Sequence, residues 1–224
     1  KERKFWWDEL QHLFLQPGKL PEKLTLNIDD SSYSWNLGTA ANYSQDEFQR
    51  DKGKIVWKSK PGTRQNFYYS VWQKVQCLPT KAQQSAMNQI RAWVGSQPCV
   101  SPDDRSLTPE EVRTLGEGGL ATIGAHTVTH PSLKEHSPEF QLKEIQQSKD
   151  YLEKLLNHSV TTFAYPYGSY TSETARLVQQ AGFECACSTV EKMVWQQSDS
   201  FELPRYTVYD WSGEEFAQRL DKWF

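Results

Sequence analysis

From Thr108 onward one rhythm governs the sequence. A hydroxyl residue able to cap a helix is followed by an amphipathic stretch, a short apolar run, and then the next cap. Thr108-Pro109-Glu110-Glu111 sets an N-cap, a proline at the first helical position and a capping-box glutamate in order, which predicts a helix through Val112 and Leu115. Gly116, Gly118 and Gly119 close it. Leu120 to Ala125 predicts a buried strand. Ser137-Pro138 opens a second helix with Leu142, Ile145, Leu152, Leu155 and Leu156 as its apolar stripe. Val160 to Tyr165 predicts a strand, and Thr171 or Ser172 caps a helix that ends at Gly182. Phe183 to Ser188 and Leu203 to Tyr209 predict two more strands. Ser212 with Glu215 caps a closing helix that carries Phe216, Leu220 and Trp223 on one face. Strands that alternate with helices require parallel pairing through crossovers, so the expected class is α/β, as a layer or a barrel. Chemistry in such folds collects at the carboxyl ends of the strands.

The preceding residues lack this rhythm, and the chain is expected to divide into 1–105 and 106–224. Trp6, Leu10, Leu13 and Phe14 predict a short amphipathic helix stopped by Pro17-Gly18. Residues 24–28 and 33–37 flank Asp29-Asp30-Ser31-Ser32 and predict a β-hairpin. Phe67, Val71, Val75 and Leu78 mark one helix. Ala82, Ala86, Ile90 and Trp93 mark another, with Thr80 as its cap. Together they describe an α+β insertion or cap beside the α/β part.

Composition narrows the function. With 224 residues the chain can bury a proper core. A formal charge of −3 and a pI near 6.0 give no basic footprint for nucleic acid. Mean hydropathy is −0.74, and no apolar run approaches the roughly 20 residues needed to span a bilayer. Lys1 to Lys4 lead into Phe5-Trp6-Trp7-Asp8, which is no signal-peptide core, and without an initiator Met the chain reads as processed or cut from something longer. The compartment stays open. Nine Trp residues could stack on sugar rings or pack in core and interface. Of the cysteines, Cys77, Cys99, Cys185 and Cys187, none forms a Cys-x-x-Cys. Cys185 and Cys187 read as small buried residues on one strand face.

The chemistry-bearing segment is His126-Thr127-Val128-Thr129-His130-Pro131, directly after the predicted strand Leu120–Ala125. Neutral imidazole is a common ligand for zinc and related divalent metals. Residues four apart share one face of a helical turn, so both rings are expected to reach one ion. At the next strand end stands Tyr165-Pro166-Tyr167-Gly168.

These two segments, in this order and spacing, resemble the polysaccharide deacetylase family of carbohydrate esterases. His126-Thr127-Val128-Thr129-His130 matches its His-Ser/Thr-x-x-His motif, and Ala164-Tyr165-Pro166-Tyr167 stands where the family has Arg-x-Pro-Tyr/Phe. The likeness covers residues 120–209, and Phe5-Trp6-Trp7-Asp8-Glu9-Leu10 is similar to a segment of one bacterial branch. The resemblance implies a partial or distorted (β/α) barrel and a hydrolase that removes acetyl groups from an N-acetylated polysaccharide or related glycan, with a link to the bacterial cell envelope. It implies a divalent metal, zinc foremost, held by His126, His130 and an aspartate. A second aspartate would serve as base. Tyr167 would lend a backbone N–H to the oxyanion hole, and Pro166 would fix the turn that presents it to substrate.

Three departures qualify this reading. No Thr-Phe-Asp-Asp-Gly segment supplies the aspartates; the Asp-Asp pairs are Asp29-Asp30 and Asp103-Asp104. Ala164 replaces the motif arginine, for which Arg205 is the candidate substitute, a plain surface arginine being the alternative. No Leu-x-His follows, and His12, His136 and His158 read as solvated. The expectation is a larger, C-terminal part of the enzyme, with the first strands and the third metal ligand upstream of Lys1. Such a fragment should bind metal weakly, fail to deacetylate, and self-associate through exposed sheet edge. The competing reading is a non-catalytic carbohydrate-binding or scaffold module of the same fold.

Overall fold

The computed structural model describes residues 5–95 and 105–223. Lys1–Lys4, Cys99 and Asp103-Asp104 lie outside them. The chain forms two compact units that divide between Leu107 and Thr108.

The first unit begins with helix α1 (Trp6–Phe14), which buries Leu10, Leu13 and Phe14. Two short strands follow, β1 (Gly18–Lys19) and, later, β4 (Asn42–Tyr43), paired antiparallel. Between them runs the hairpin β2 (Lys23–Ile28) and β3 (Ser31–Asn36). In β2 strict alternation buries Leu24, Leu26 and Ile28. Its two-residue turn is Asp29-Asp30, and Asp29 takes a left-handed φ of 50°. Helix α2 (Gln45–Asp51) starts from a Ser44/Glu47 capping box. Helices α3 (Arg64–Gln76) and α4 (Thr80–Val94) complete the unit. Thr80 is the first helical residue of α4, not its cap; Pro79 holds the N-cap position without a side-chain bond. Leu10, Phe14, Leu24, Leu26, Val71, Val75, Met87 and Ile90 share one core. Two buried charges are tied into it. Glu9 pairs with Arg91, Nε to Oε1 at 2.6 Å. Arg64 donates to the carbonyls of Phe14, Gly18, Ala40 and Ala41, so one guanidinium ties the end of α1 to β1 and to the turn before β4.

The second unit opens with α5 (Pro109–Glu117), capped by the Thr108/Glu111 box. Then come α6 (Pro138–Leu156), β5 (Thr162–Ala164), α7 (Ser172–Gln180), β6 (Cys185–Cys187) and α8 (Gly213–Trp223). β5 and β6 pair in parallel, with Thr162 opposite Cys185. Single parallel bridges extend the sheet on both sides, from Ala125 to Phe163 and from Cys187 to Leu203. The order is thus residue 125, β5, β6, residue 203. α6 and α7 serve as crossovers, and Leu133, Ile145, Val160, Phe163, Tyr165, Val178 and Ala186 form the core. No closed barrel forms among the described residues; the architecture is a partial, distorted (β/α) barrel.

Two expected strands shrink to bridges. Over Leu120–Ala125 only Ala125 is paired, through Ala125 N–H to Thr162 and Ala164 N–H to Ala125, and Leu120 is fully exposed. Over Leu203–Tyr209 only Leu203 forms a β-bridge among the described residues. An apolar run becomes a strand only where a neighbouring backbone accepts its hydrogen bonds, and among the described residues only the Ala125 end of this run meets β5.

Candidate functional site

Beyond Ala125 the chain leaves the sheet, and His126–His130 is not a helical turn. Thr127 and His130 adopt left-handed φ values of 65° and 57°. Pro131 disfavours α-helical backbone at His130, which corrects the expectation of a shared helix face. The loop folds back on itself and brings the rings together by another route. Their centroids lie 4.7 Å apart at 72°.

Each ring is anchored. His126 Nδ1 lies 2.7 Å from the carbonyl oxygen of Ala164, the last residue of β5. A carbonyl can only accept, so Nδ1 carries the proton and Nε2 keeps its lone pair. The His130 ring meets the Tyr167 ring edge-on at 4.5 Å and 83°. Tyr167 follows Pro166 in a one-turn 3-10 segment and sits at φ 58°, ψ 6°. Gly168 follows at φ 63°, where a Cβ would fall 2.0 Å from Thr189 Oγ1. Only glycine fits there. The buried hydroxyls of Ser132 and Ser169 bond at 2.7 Å and latch the histidine loop to this turn.

Burial favours the neutral form of both imidazoles. His126 retains a solvent-exposed edge, yet the protein packed around the rest of the ring lowers its pKa; the hydrogen bond to Ala164 opposes this and the Arg205 charge adds to it, with a net lowering. His130 is pushed down to about 4, by desolvation first and by His126 second. Neutral imidazole is the metal-binding form. The pair therefore fits two positions of a divalent-metal ligand set. Among the described residues no group of three His, Cys, Asp or Glu completes a site.

The other candidate residues have definite places. Arg205 is exposed, with its Nε donating to the Ser188 carbonyl at 2.9 Å and its N–H to Val190. Asp29-Asp30 forms the hairpin turn of the first unit. His12 and His158 are exposed, as expected. His136 is not solvated: it is half-buried against Phe140, with ring centroids 4.5 Å apart, and its Nε2 is buried with no hydrogen-bond partner among the described residues.

The model of the polysaccharide deacetylase family matches residues 71–186. The chain belongs to that family. The match starts inside α3, well before the segment 120–209 that carries the resemblance in sequence motifs. The Bacillus subtilis protein YxkH, which carries a polysaccharide deacetylase name, is 26% identical over 116 residues, 51% of this chain and 41% of its own length. The poly-beta-1,6-N-acetyl-D-glucosamine N-deacetylase of Staphylococcus aureus is 26% identical over 123 residues, 51% of this chain and 42% of its own. This deacetylase-family chain thus spans less than half the length of those relatives. A solved structure, the Streptococcus pyogenes deacetylase PplD in complex with acetate, is 29% identical, covers 52% of each chain and has a TM-score of 0.48.

One set of residues escaped the sequence reading. Gln141, Glu144 and Ser148 are buried on the inner face of α6. Their signal was present: polar residues at positions 141, 144 and 148 follow helical spacing beside the apolar stripe. A stripe reading counts only the apolar members and passes over such a row.

Proposed function

We propose that this chain carries the histidine half of a zinc-dependent deacetylase centre, in which His126 and His130 hold the metal. The substrate class is an N-acetylated polysaccharide, from which acetyl groups are hydrolysed. The observation that carries this reading is the anchored imidazole pair beside the Tyr167 turn. When bound, the metal polarises the acetyl carbonyl and activates water. His126 contributes Nε2, because its Nδ1–H is spent on Ala164. Pro166 and Gly168 hold Tyr167 in left-handed backbone, where its N–H would serve the oxyanion. Arg205, whose charge reaches His126, is the candidate for the base-orienting cation that Ala164 does not supply.

Residues 1–224 alone should bind metal weakly and not turn over, since catalytic zinc centres generally use three protein ligands. The test pairs zinc titration calorimetry with an acetate-release assay on oligomers of N-acetylglucosamine. Weak zinc binding that disappears in His126→Ala and His130→Ala supports the reading. Unchanged binding in both variants would sink the metal site, and metal-dependent acetate release by this chain alone would sink its inactivity.

A further inference from the structure

We propose that Glu144 is the positioning residue of the His126–His130 loop, an inference that rests on the metal-holding reading of those histidines. The loop adopts a costly backbone. Thr127 is β-branched and still sits at φ 65°, and His130 sits at φ 57°. Backbone of this kind persists only where the surroundings over-determine it. Ala164 and the Ser132–Ser169 latch hold the two ends of the loop, and one carboxylate holds its middle. Glu144 Oε2 accepts the N–H of Val128 at 2.9 Å and of Thr129 at 2.8 Å. Its Oε1 accepts the Thr129 hydroxyl at 3.0 Å. Thr127 Oγ1 closes the loop from within by accepting the N–H of His130 at 3.1 Å.

Glu144 is 7% exposed and stands on α6 beside Ile145, which is fully buried. No Lys or Arg pairs with it among the described residues. A buried carboxylate without a counter-ion is expensive, and here the loop's own donors are what offset the cost. α6 is also the crossover helix between Ala125 and β5, so the brace is set on the same rigid element that fixes the strand ends. Glu144 touches neither imidazole in these contacts. It acts through Val128 and Thr129, as outer groups do when they hold metal ligands in place.

Chain 1–224 and its Glu144→Ala, Glu144→Asp and Glu144→Gln variants are compared by amide hydrogen exchange and by Co2+ binding. Gln keeps an oxygen able to accept both N–H groups. Asp keeps the charge but is one methylene too short. Loss of the brace in the Ala and Asp variants should speed exchange at Val128 and Thr129 at least about tenfold and weaken Co2+ binding roughly 10–100-fold. The Gln variant should stay within a few-fold of wild type. If the Ala variant does not fold, the Asp and Gln pair makes the same comparison. Wild-type protection at Val128 and Thr129 in folded Ala or Asp variants overturns the proposal, as does a Gln variant as impaired as Asp. Wild-type chain that takes up no Co2+ defeats the metal reading instead, and the exchange data then decide the brace alone.

Discussion

His126 donates its Nδ1–H to the Ala164 carbonyl oxygen across 2.7 Å, and that bond selects the tautomer of the ring. Nitrogen-detected NMR of the metal-free chain near pH 7 should therefore show the Nδ1–H form of His126. An Nε2–H form would break the link between β5 and the metal-facing nitrogen.

The Ser132–Ser169 bond joins two loops that lie far apart in sequence. Either Ser→Ala change leaves one buried hydroxyl without its partner and should cost about 1–3 kcal/mol. The double variant should cost less than the sum of the two, with a coupling of about 1 kcal/mol by urea unfolding. Additive losses would mean that the two hydroxyls act independently.

Gly168→Ala should destabilise the chain by at least roughly 2 kcal/mol, because the new methyl meets both an unfavourable φ and the Thr189 side chain. Adding Thr189→Ala removes the closest contact and should restore part of the loss. Thermal melts of the three variants check this. A Gly168→Ala protein as stable as wild type would rule out the tight turn.

Alkaline pH should weaken the first unit through Tyr68. Burial first, and Asp8 second, push its pKa up to about 12 from 10.0. Between those values the unfolded chain gives up a proton that the folded chain keeps, so stability falls as pH rises. The contribution is complete below pH 10 and worth roughly 2–3 kcal/mol, from the gap between the folded and unfolded values. Urea midpoints from pH 9 to 12 should decline, and Tyr68→Phe should flatten the decline. An equal slope in the variant would assign the effect elsewhere.

Capping chemistry was the most legible part of this fold. The Thr108/Glu111 and Ser212/Glu215 boxes, the Ser137 and Thr171 caps, and the Asp29-Asp30 turn depend on side chains and backbone a few residues apart. Local interactions are written locally. The strands were less legible. Leu120–Ala125 has the apolar content of a buried strand, yet pairing depends on a neighbour that its own residues do not specify. The partners of Glu144 and the Ser132–Ser169 latch were illegible for the same reason, being contacts across 15–16 and 37 residues, although the polar row that carries Glu144 was itself visible.

By itself, then, the sequence determined the helices and caps of the second unit, the α/β alternation, and the two motifs that place this chain among the polysaccharide deacetylases, while α2 and the start of α4 escaped it. Tertiary structure decided how those motifs become a site. It put His126 and His130 in a left-handed loop instead of a helical turn, chose the His126 tautomer through Ala164, and seated the His130 ring between His126 and Tyr167. Spacing along a chain can state which residue types recur. A non-repetitive loop takes its shape from the partners that pay for its strain, and here those partners arrive from α6, β5 and the Tyr167 turn.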